Sequence, residues 1–239
     1  MIKLFRRTRQ KLLMQNKTGQ YFTYAIGEIL LVVIGILIAL YINNWNEDRK
    51  DRIKENAILN ELHKDFKKNL EKFYPIKQYQ LNAYNSGNIV FRNLKKIHIP
   101  ASRDSLYTHS TRMFGGYTYY PSNGVVESLI SSGEINLIRN DSLRKYLVSW
   151  KDVLTNYTEN VNIDRDLWSD KIEPYVIEKG DFLNVGSDKN KNLLSDPVFI
   201  NMLVRKQFFQ KNIVNSIEGK NGIEHYMKEI ARLSKVDTK

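Results

Sequence analysis

The sequence predicts a mainly α protein in which an N-terminal transmembrane helix continues into a helical bundle domain. One long apolar stretch lies near the start, later segments repeat apolar residues every three or four positions, and no strong period-two alternation typical of a strand occurs. We divide the 239 residues into a basic arm at 1–20, a transmembrane helix at 21–42, a helical stalk at 43–58 and a bundle domain at 59–239.

Composition and charge exclude several classes of protein. With 42% hydrophobic residues, 26% charged residues and a mean hydropathy of −0.46, the chain is neither wholly disordered nor a polytopic transporter. The absence of cysteine excludes disulfides, thiolate metal sites and a cysteine nucleophile. The net charge is +11, and residues 1–42 hold six basic residues and one acidic residue. Nearly half of the positive excess therefore belongs to the N-terminal segment.

The basic arm predicts how the chain is oriented in a membrane. Residues 1–20 contain no acidic residue, and Arg6, Arg7, Arg9 and Lys11 are candidates for contact with lipid headgroups. The ten residues after the apolar stretch carry equal numbers of acidic and basic side chains. By the positive-inside rule, the N-terminus lies in the cytoplasm. We expect an uncleaved signal anchor in the inner (cytoplasmic) membrane, with the C-terminal domain in the periplasm.

The transmembrane helix carries one charged residue and one close-packing motif. Its 22 residues span about 33 Å, enough for a hydrocarbon core of about 30 Å. Glu28 shares a helical face with Gly35 and Ala39, whose spacing lets two helices approach closely. We expect this face to contact another helix. The alternative is that Glu28 extends to the membrane surface and that the glycine is merely tolerated.

Two sequence blocks resemble a known family. The first is FRRTRQKLL followed by YAIGEILLVVIGILIALYINNWNE, and the second is LISSGEINLIRNDSLRKYL at Leu129–Leu147. Both resemble a family of single-pass inner-membrane proteins of unknown function found mainly in Bacteroidota. The resemblance implies an inner-membrane anchor with a periplasmic domain, and it implies no activity.

The stalk and the first bundle helix are predicted from a stretch without glycine or proline at residues 43–74. Its second half repeats apolar residues at helical spacing, and these are Leu59, Leu62, Phe66, Leu70 and Phe73. Pro75 predicts an interruption and the start of a second helix, in which Gly87 is a weak point.

The middle of the chain predicts two short helices joined by a loop. Asp104 is expected to cap the first helix, which ends at Gly115-Gly116. The second is expected at residues 121–132, with Gly133 just past its end. The loop between them contains Tyr117, Tyr119 and Tyr120. These rings either bind a ligand or partner or pack the loop onto the bundle.

The longest periodic pattern follows Asn140, which is a predicted N-cap. The pattern alternates spacings of four and three residues, and its members are Leu143, Leu147, Trp150, Leu154, Tyr157 and Val161. Asp164 falls on the same line. We expect Asp164 either to form a buried ion pair with Arg139 or Arg144, or to be exposed at a bundle end.

The C-terminal part predicts a polar loop and two more helices. The loop covers residues 180–192. Asp196 and Pro197 then mark a helix start, and Gly219 marks its end. A final amphipathic helix is expected from Ile223 to Leu233.

No pattern in the sequence indicates a reaction. The four histidines are far apart, and there is no nucleophile elbow, phosphate loop or dinucleotide fingerprint. We therefore predict no catalytic residue, no metal site and no cofactor.

We expect a non-catalytic, membrane-anchored protein whose periplasmic helical domain binds a partner, senses a signal or acts as a scaffold. Two alternatives stay open: an envelope enzyme with a site assembled from dispersed residues, and a basic nucleic-acid binder that faces the cytoplasm in the inverted topology. The expected partners are the lipid bilayer and either a second copy of the chain or another envelope protein. Export of the domain argues against nucleic acid.

Overall fold

The computed structural model describes residues 18–114 and 118–236. The regular elements within these residues are all helical, and no strand occurs among them. The predicted mainly α fold is therefore confirmed. The chain divides into two compact units, Met1–Glu55 and Asn56–Lys239.

The described part of the first unit belongs to helix α1, which runs from Thr18 to Asn93. Its large apolar side chains are exposed, as Leu31 (64%) and Ile42 (57%) illustrate. The most apolar window has a mean hydropathy of 2.7, and none of it is buried. Among the described residues, α1 is the helix that is long and apolar enough to cross a membrane.

The second part of α1 belongs to the core of the second unit, where Phe66 and Phe73 have no solvent exposure. The predicted break at Pro75 is wrong, because the helix continues to Asn93 with this proline inside it. A proline within a helix removes one hydrogen bond, at a cost of about 3 kcal/mol. Side chains buried on both sides of Pro75, such as Phe73 before it and Val90 after it, outweigh that cost.

Two short helices follow. Helix α2 spans Pro100–Arg112, and α3 spans Gly124–Ser132. The predicted cap at Asp104 is wrong, because Pro100 occupies the first turn of α2, where its missing N–H costs nothing. Gly133 ends α3 with a φ of 76°, as predicted.

Helix α4 spans Asp141–Leu167, and the Asn140 side chain accepts a hydrogen bond of 3.0 Å from the Leu143 N–H. The predicted N-cap is therefore confirmed. A π-helical turn, Trp168–Ile172, leads into helix α5, Glu173–Lys179.

Helix α6, Asp188–Asn192, lies within the predicted polar loop. Helix α7 spans Pro197–Ile217, and its predicted cap is confirmed because Asp196 accepts a hydrogen bond of 2.8 Å from the Val198 N–H. Helix α8 spans Ile223–Leu233, as predicted.

The second unit has two hydrophobic clusters. The first cluster contains Phe66 and Phe73 of α1 together with buried residues of α3, α4, α8 and the end of α7. The second cluster joins the end of α1 to α2, the π-helical turn and the start of α7. Helices α1, α4 and α7 each contribute to both clusters. Along each of these helices, a buried polar residue lies between the part that joins the first cluster and the part that joins the second. These residues are Gln80 in α1, Asp164 in α4 and Lys206 in α7.

Candidate functional site

A pocket of about 130 Å³ opens beside the second cluster. Aromatic rings form much of its wall. The ring centroids of Phe114 and Trp168 are 4.8 Å apart, and those of Phe114 and Phe199 are 6.3 Å apart. Val176 of α5 and Leu193 complete the apolar surface. The pocket therefore fits an apolar group of the size of a benzene ring or a branched alkyl side chain.

Residues 181–187, which we call the apolar loop, contribute Asp181, Phe182 and Val185 to the lining of the pocket. The loop starts after Gly180, where a Cβ atom would lie 2.6 Å from the Val176 carbonyl oxygen. The Asp181 Oδ1 atom accepts hydrogen bonds from the N–H groups of Leu183 (3.0 Å) and Asn184 (3.1 Å). This is the turn that a short acidic side chain forms with the backbone two and three residues later.

The side-chain amide of Asn190, in α6, holds the backbone of the apolar loop in place. It is only 5% exposed, and its Oδ1 atom accepts a hydrogen bond of 2.7 Å from the Asp181 N–H. Its Nδ2 atom donates to the carbonyl groups of Asp181, Asn184 and Val185. One buried amide therefore fixes the backbone of the loop at Asp181, Asn184 and Val185.

Tyr107 of α2 also holds the apolar loop in place. Its hydroxyl donates a hydrogen bond of 2.5 Å to the Val185 carbonyl oxygen. Burial raises the pKa of Tyr107, although Asn190 and Lys191 oppose that rise. The hydroxyl therefore keeps its proton at neutral pH and remains a donor.

The apolar loop presents its large apolar side chains to solvent. Phe182 is 56% exposed, Leu183 is fully exposed and Val185 is 57% exposed. Exposed apolar side chains on a backbone that hydrogen bonds hold in place are typical of a binding surface.

Two ion pairs connect α2 to α6. The Arg103 guanidinium lies 2.8 Å from the Asp188 carboxylate, and the Lys191 ammonium lies 2.8 Å from the Asp104 carboxylate. The hydrogen bond from Lys191 lowers the pKa of Asp104. Within residues 18–114 and 118–236, no group of three His, Asp or Glu side chains is arranged to hold a metal ion.

The predicted residues of the membrane helix lie in the first unit. Glu28 is partly exposed and Ala39 is exposed. A Cβ atom added at Gly35 would meet no atom within 4 Å. The predicted contact with another helix stays a prediction. The predicted headgroup ligands Arg6, Arg7, Arg9 and Lys11 lie outside the described residues.

Tyr119 and Tyr120 of the predicted loop have different surroundings in the structure. Tyr119 packs on the core, where its ring lies 6.0 Å from that of Phe73 and its hydroxyl donates to the Asn69 Oδ1 atom. Burial raises the pKa of Tyr119 to about 12. Tyr120 is 55% exposed, and Tyr117 lies outside the described residues. Tyr119 therefore packs the loop onto the bundle, which is one of the two roles that the sequence left open for these rings.

Asp164 lies in the core with 4% exposure, and its partner is Lys206 of α7, at 2.7 Å. The pairing that we expected with Arg139 or Arg144 is wrong. Arg144 belongs to α4 as Asp164 does, and twenty residues along one helix separate them by about 30 Å. Arg139 is farther back along the chain.

The surroundings of Asp164 identify a structural role. Burial raises the pKa of Asp164, and Lys206 offsets only part of that effect. Gln210, one turn after Lys206, donates a hydrogen bond to the Met113 carbonyl oxygen. The pair and this amide connect α4, α7 and the end of α2 inside the core. None of these three side chains lines the pocket.

The roles of the apolar loop, Asn190 and Lys206 were not predicted from the sequence. Two signals were available. Phe182 and Leu183 are adjacent apolar residues within an otherwise polar stretch, and Lys206 falls on the apolar line of α7 between Leu203 and Ile213. No sequence signal marks Asn190, because its partners lie five to nine residues earlier in the chain.

Comparison with known proteins gives a family but no activity. No curated protein and no solved structure matches the chain. The model of a family of unknown function, DUF6090, matches residues 28–212. This match covers most of the chain, which therefore belongs to that family.

Proposed function

We propose that this protein is a non-catalytic, single-pass membrane protein whose helical domain binds a partner protein. The pocket accepts one apolar side chain of the partner, of the size of leucine or phenylalanine, and the apolar loop packs around it. The observation that carries this proposal is the loop itself, which exposes Phe182, Leu183 and Val185 on a backbone held by Asn190 and Tyr107.

The chemistry of the pocket supports binding rather than catalysis. The carboxylate in its lining is Asp181, whose Oδ1 atom already accepts two backbone hydrogen bonds. The tyrosine at its rim, Tyr107, donates to a carbonyl group. Neither side chain is paired with a nucleophile in the manner of an acid–base site.

The test uses a photoreactive amino acid at position 183 of the full chain in its native cells. We expect a partner adduct at this position and none at Val148, an equally exposed apolar position (61%) on α4. Val176→Phe fills the pocket and should abolish the adduct, whereas Val204→Phe on the exposed face of α7 should leave it intact. Identical adducts at positions 183 and 148 would refute the proposal.

We infer that the domain lies in the periplasm and the N-terminus in the cytoplasm. The basic arm before the apolar helix and the neutral segment after it support this orientation. Reporter fusions that are active only in the cytoplasm or only in the periplasm, placed at each terminus, test it. A cytoplasmic signal from the C-terminal fusion would establish the inverted topology.

We also infer that the face of Glu28, Gly35 and Ala39 contacts another membrane helix, either of a second copy or of another envelope protein. The open space at Gly35 leaves room for a close approach. Gly35→Leu should reduce crosslinking between helices in the membrane, whereas Val33→Leu on the opposite face should not. Equal crosslinking in both variants would exclude the contact.

A further inference from the structure

We propose a second site on the helical domain: a groove of about 400 Å³ that binds an oxyanion, either a carboxylate or a phosphate, carried on a small polar ligand. The groove lies between α4 and the start of α8. It involves none of the residues of the apolar pocket, so it does not depend on the function proposed above. Its size is within the range of about 300–1,000 Å³ that is typical of ligand pockets.

One wall of the groove is a single face of α4. Ser142, Lys145, Tyr146 and Ser149 line it, at spacings of three and four residues. Together they present two hydroxyl groups of serine, one phenol and one ammonium group. Each of these groups donates hydrogen bonds to oxyanions.

The opposite wall is the link between α7 and α8, and two glycines fix its shape. Gly219 has a φ of 84°, a conformation that other residues rarely adopt. A Cβ atom at Gly222 would lie 2.3 Å from the Ile217 carbonyl oxygen. The link therefore places Lys220 and Asn221 on the groove in one backbone conformation.

An aromatic group forms the floor. The Tyr146 hydroxyl lies 3.2 Å from the His225 Nε2 atom. The rings of Tyr146 and Tyr226 meet edge to face, with centroids 5.0 Å apart. These contacts hold the floor in place before a ligand arrives, which lowers the entropic cost of binding.

The charges of the groove favour an anion. Its lining contains two lysines and a histidine and no carboxylate. Neither Lys145 nor Lys220 forms an ion pair within the part of the chain that the structure describes, whereas acidic residues close by in the sequence already have cationic partners. The pairs are Asp141 with Arg144, Glu218 with Lys77, Glu224 with Lys77 and Lys228, and Glu229 with Arg232. The lysines of the groove are thus available to an external anion.

The experiment measures binding by calorimetry with the full chain in an uncharged polyoxyethylene detergent that contains no phosphate. The probes are inorganic phosphate, glucose 6-phosphate, glucuronate and glucose. Binding of the two phosphates alone identifies a phosphoryl ligand, and binding of glucuronate alone identifies a carboxylate ligand. Either result supports the proposal. Glucose that binds as tightly as its charged derivatives would overturn it, as would the absence of binding by every probe.

Variants connect the binding to the groove. Lys145→Gln combined with Lys220→Gln should weaken the affinity for the bound probe roughly tenfold or more, because two charge-assisted hydrogen bonds are lost. Lys151→Gln is the matched control, since Lys151 is an exposed lysine of α4 outside the groove. Thermal unfolding monitors the fold of each variant. An equal loss of affinity in the control, or no loss in the double variant, would overturn the proposal.

Discussion

At the scale of single residues, the ion pair between Asp164 and Lys206 is the most unusual feature of the core. The carboxylate and the ammonium are almost fully buried, at 5% and 2% side-chain exposure. Two buried charges lose their hydration, and their mutual attraction compensates for this loss only while both are present. Replacing such a pair by apolar residues of similar volume therefore costs little, whereas removing one partner alone costs much.

A double-mutant cycle tests this difference. Asp164→Leu should destabilise the protein by roughly 3–5 kcal/mol, because it leaves the Lys206 ammonium buried without its partner. Adding Lys206→Met should restore much of that loss. Urea unfolding of the four proteins, followed by tryptophan fluorescence, measures the coupling. If the two losses simply add, the residues do not act as a pair.

The buried hydroxyl of Tyr157 should make stability depend on alkaline pH. Burial raises the pKa of Tyr157 to about 12, above its ordinary value of 10.0. The folded state therefore holds the phenolic proton more tightly than the unfolded state does. This contribution to stability is complete below about pH 10 and is lost as the pH rises through about 12.

Tyr157→Phe removes the titrating group. Relative to the wild type, the variant should gain roughly 1–3 kcal/mol of unfolding free energy between about pH 9 and about pH 12. Urea unfolding at several pH values measures the difference. Tyr79→Phe, at an exposed ring, is the control, and the same pH dependence in both variants would argue against the burial of Tyr157 as the cause.

At the scale of elements, the two prolines at residues 75 and 100 show how position decides the effect of one residue type. Pro75 lies inside α1, whereas Pro100 occupies the first turn of α2. Only the first position loses a hydrogen bond within a helix, since the N–H groups of a first turn have no helical partner. The fold tolerates the missing hydrogen bond at Pro75 because α1 packs against the core both before and after this residue.

Replacing each proline by alanine separates the two effects. Pro75→Ala should stabilise the protein by about 1–3 kcal/mol, because it restores an N–H donor in the helix interior. Pro100→Ala should change stability by less than about 0.5 kcal/mol. Chemical unfolding measures both values. A loss of stability in Pro75→Ala would mean that the helix needs the local geometry of the proline.

At the scale of the whole molecule, the chain has two different parts. One is an apolar helical segment that the described residues leave exposed, and the other is a domain with its own hydrophobic core. The apolar window of α1 is 0% buried. The second unit contains both hydrophobic clusters. Because the domain has its own core and the apolar window of α1 is not buried in it, the apolar segment and the domain should be separable.

A chain that begins at Asn43 tests this separation. Without residues 1–42, the protein should appear in the soluble fraction, keep a helical circular dichroism spectrum and unfold cooperatively. The full chain should resist extraction from membranes by alkaline carbonate. A shortened chain that stays in the membrane fraction would show that the apolar helix is not the anchor.

The sequence determined the features that depend on local chemistry. An apolar run of membrane length predicts its helix without any other part of the chain. Asn140 and Asp196 predict their caps because their partners lie only two or three residues ahead. The periodic line of α4 predicts its buried face for the same reason, since one helix places its members side by side.

Tertiary structure decided everything that joins distant residues. The partner of Asp164 is forty-two positions away, at Lys206, and nothing near either residue identifies the other. The pocket and the groove each collect side chains from several helices. Long-range packing also kept α1 helical through Pro75, against the local preference. A local sequence pattern indicates the secondary structure that one segment favours. Which segments pack together depends on which buried surfaces and charges are complementary in three dimensions.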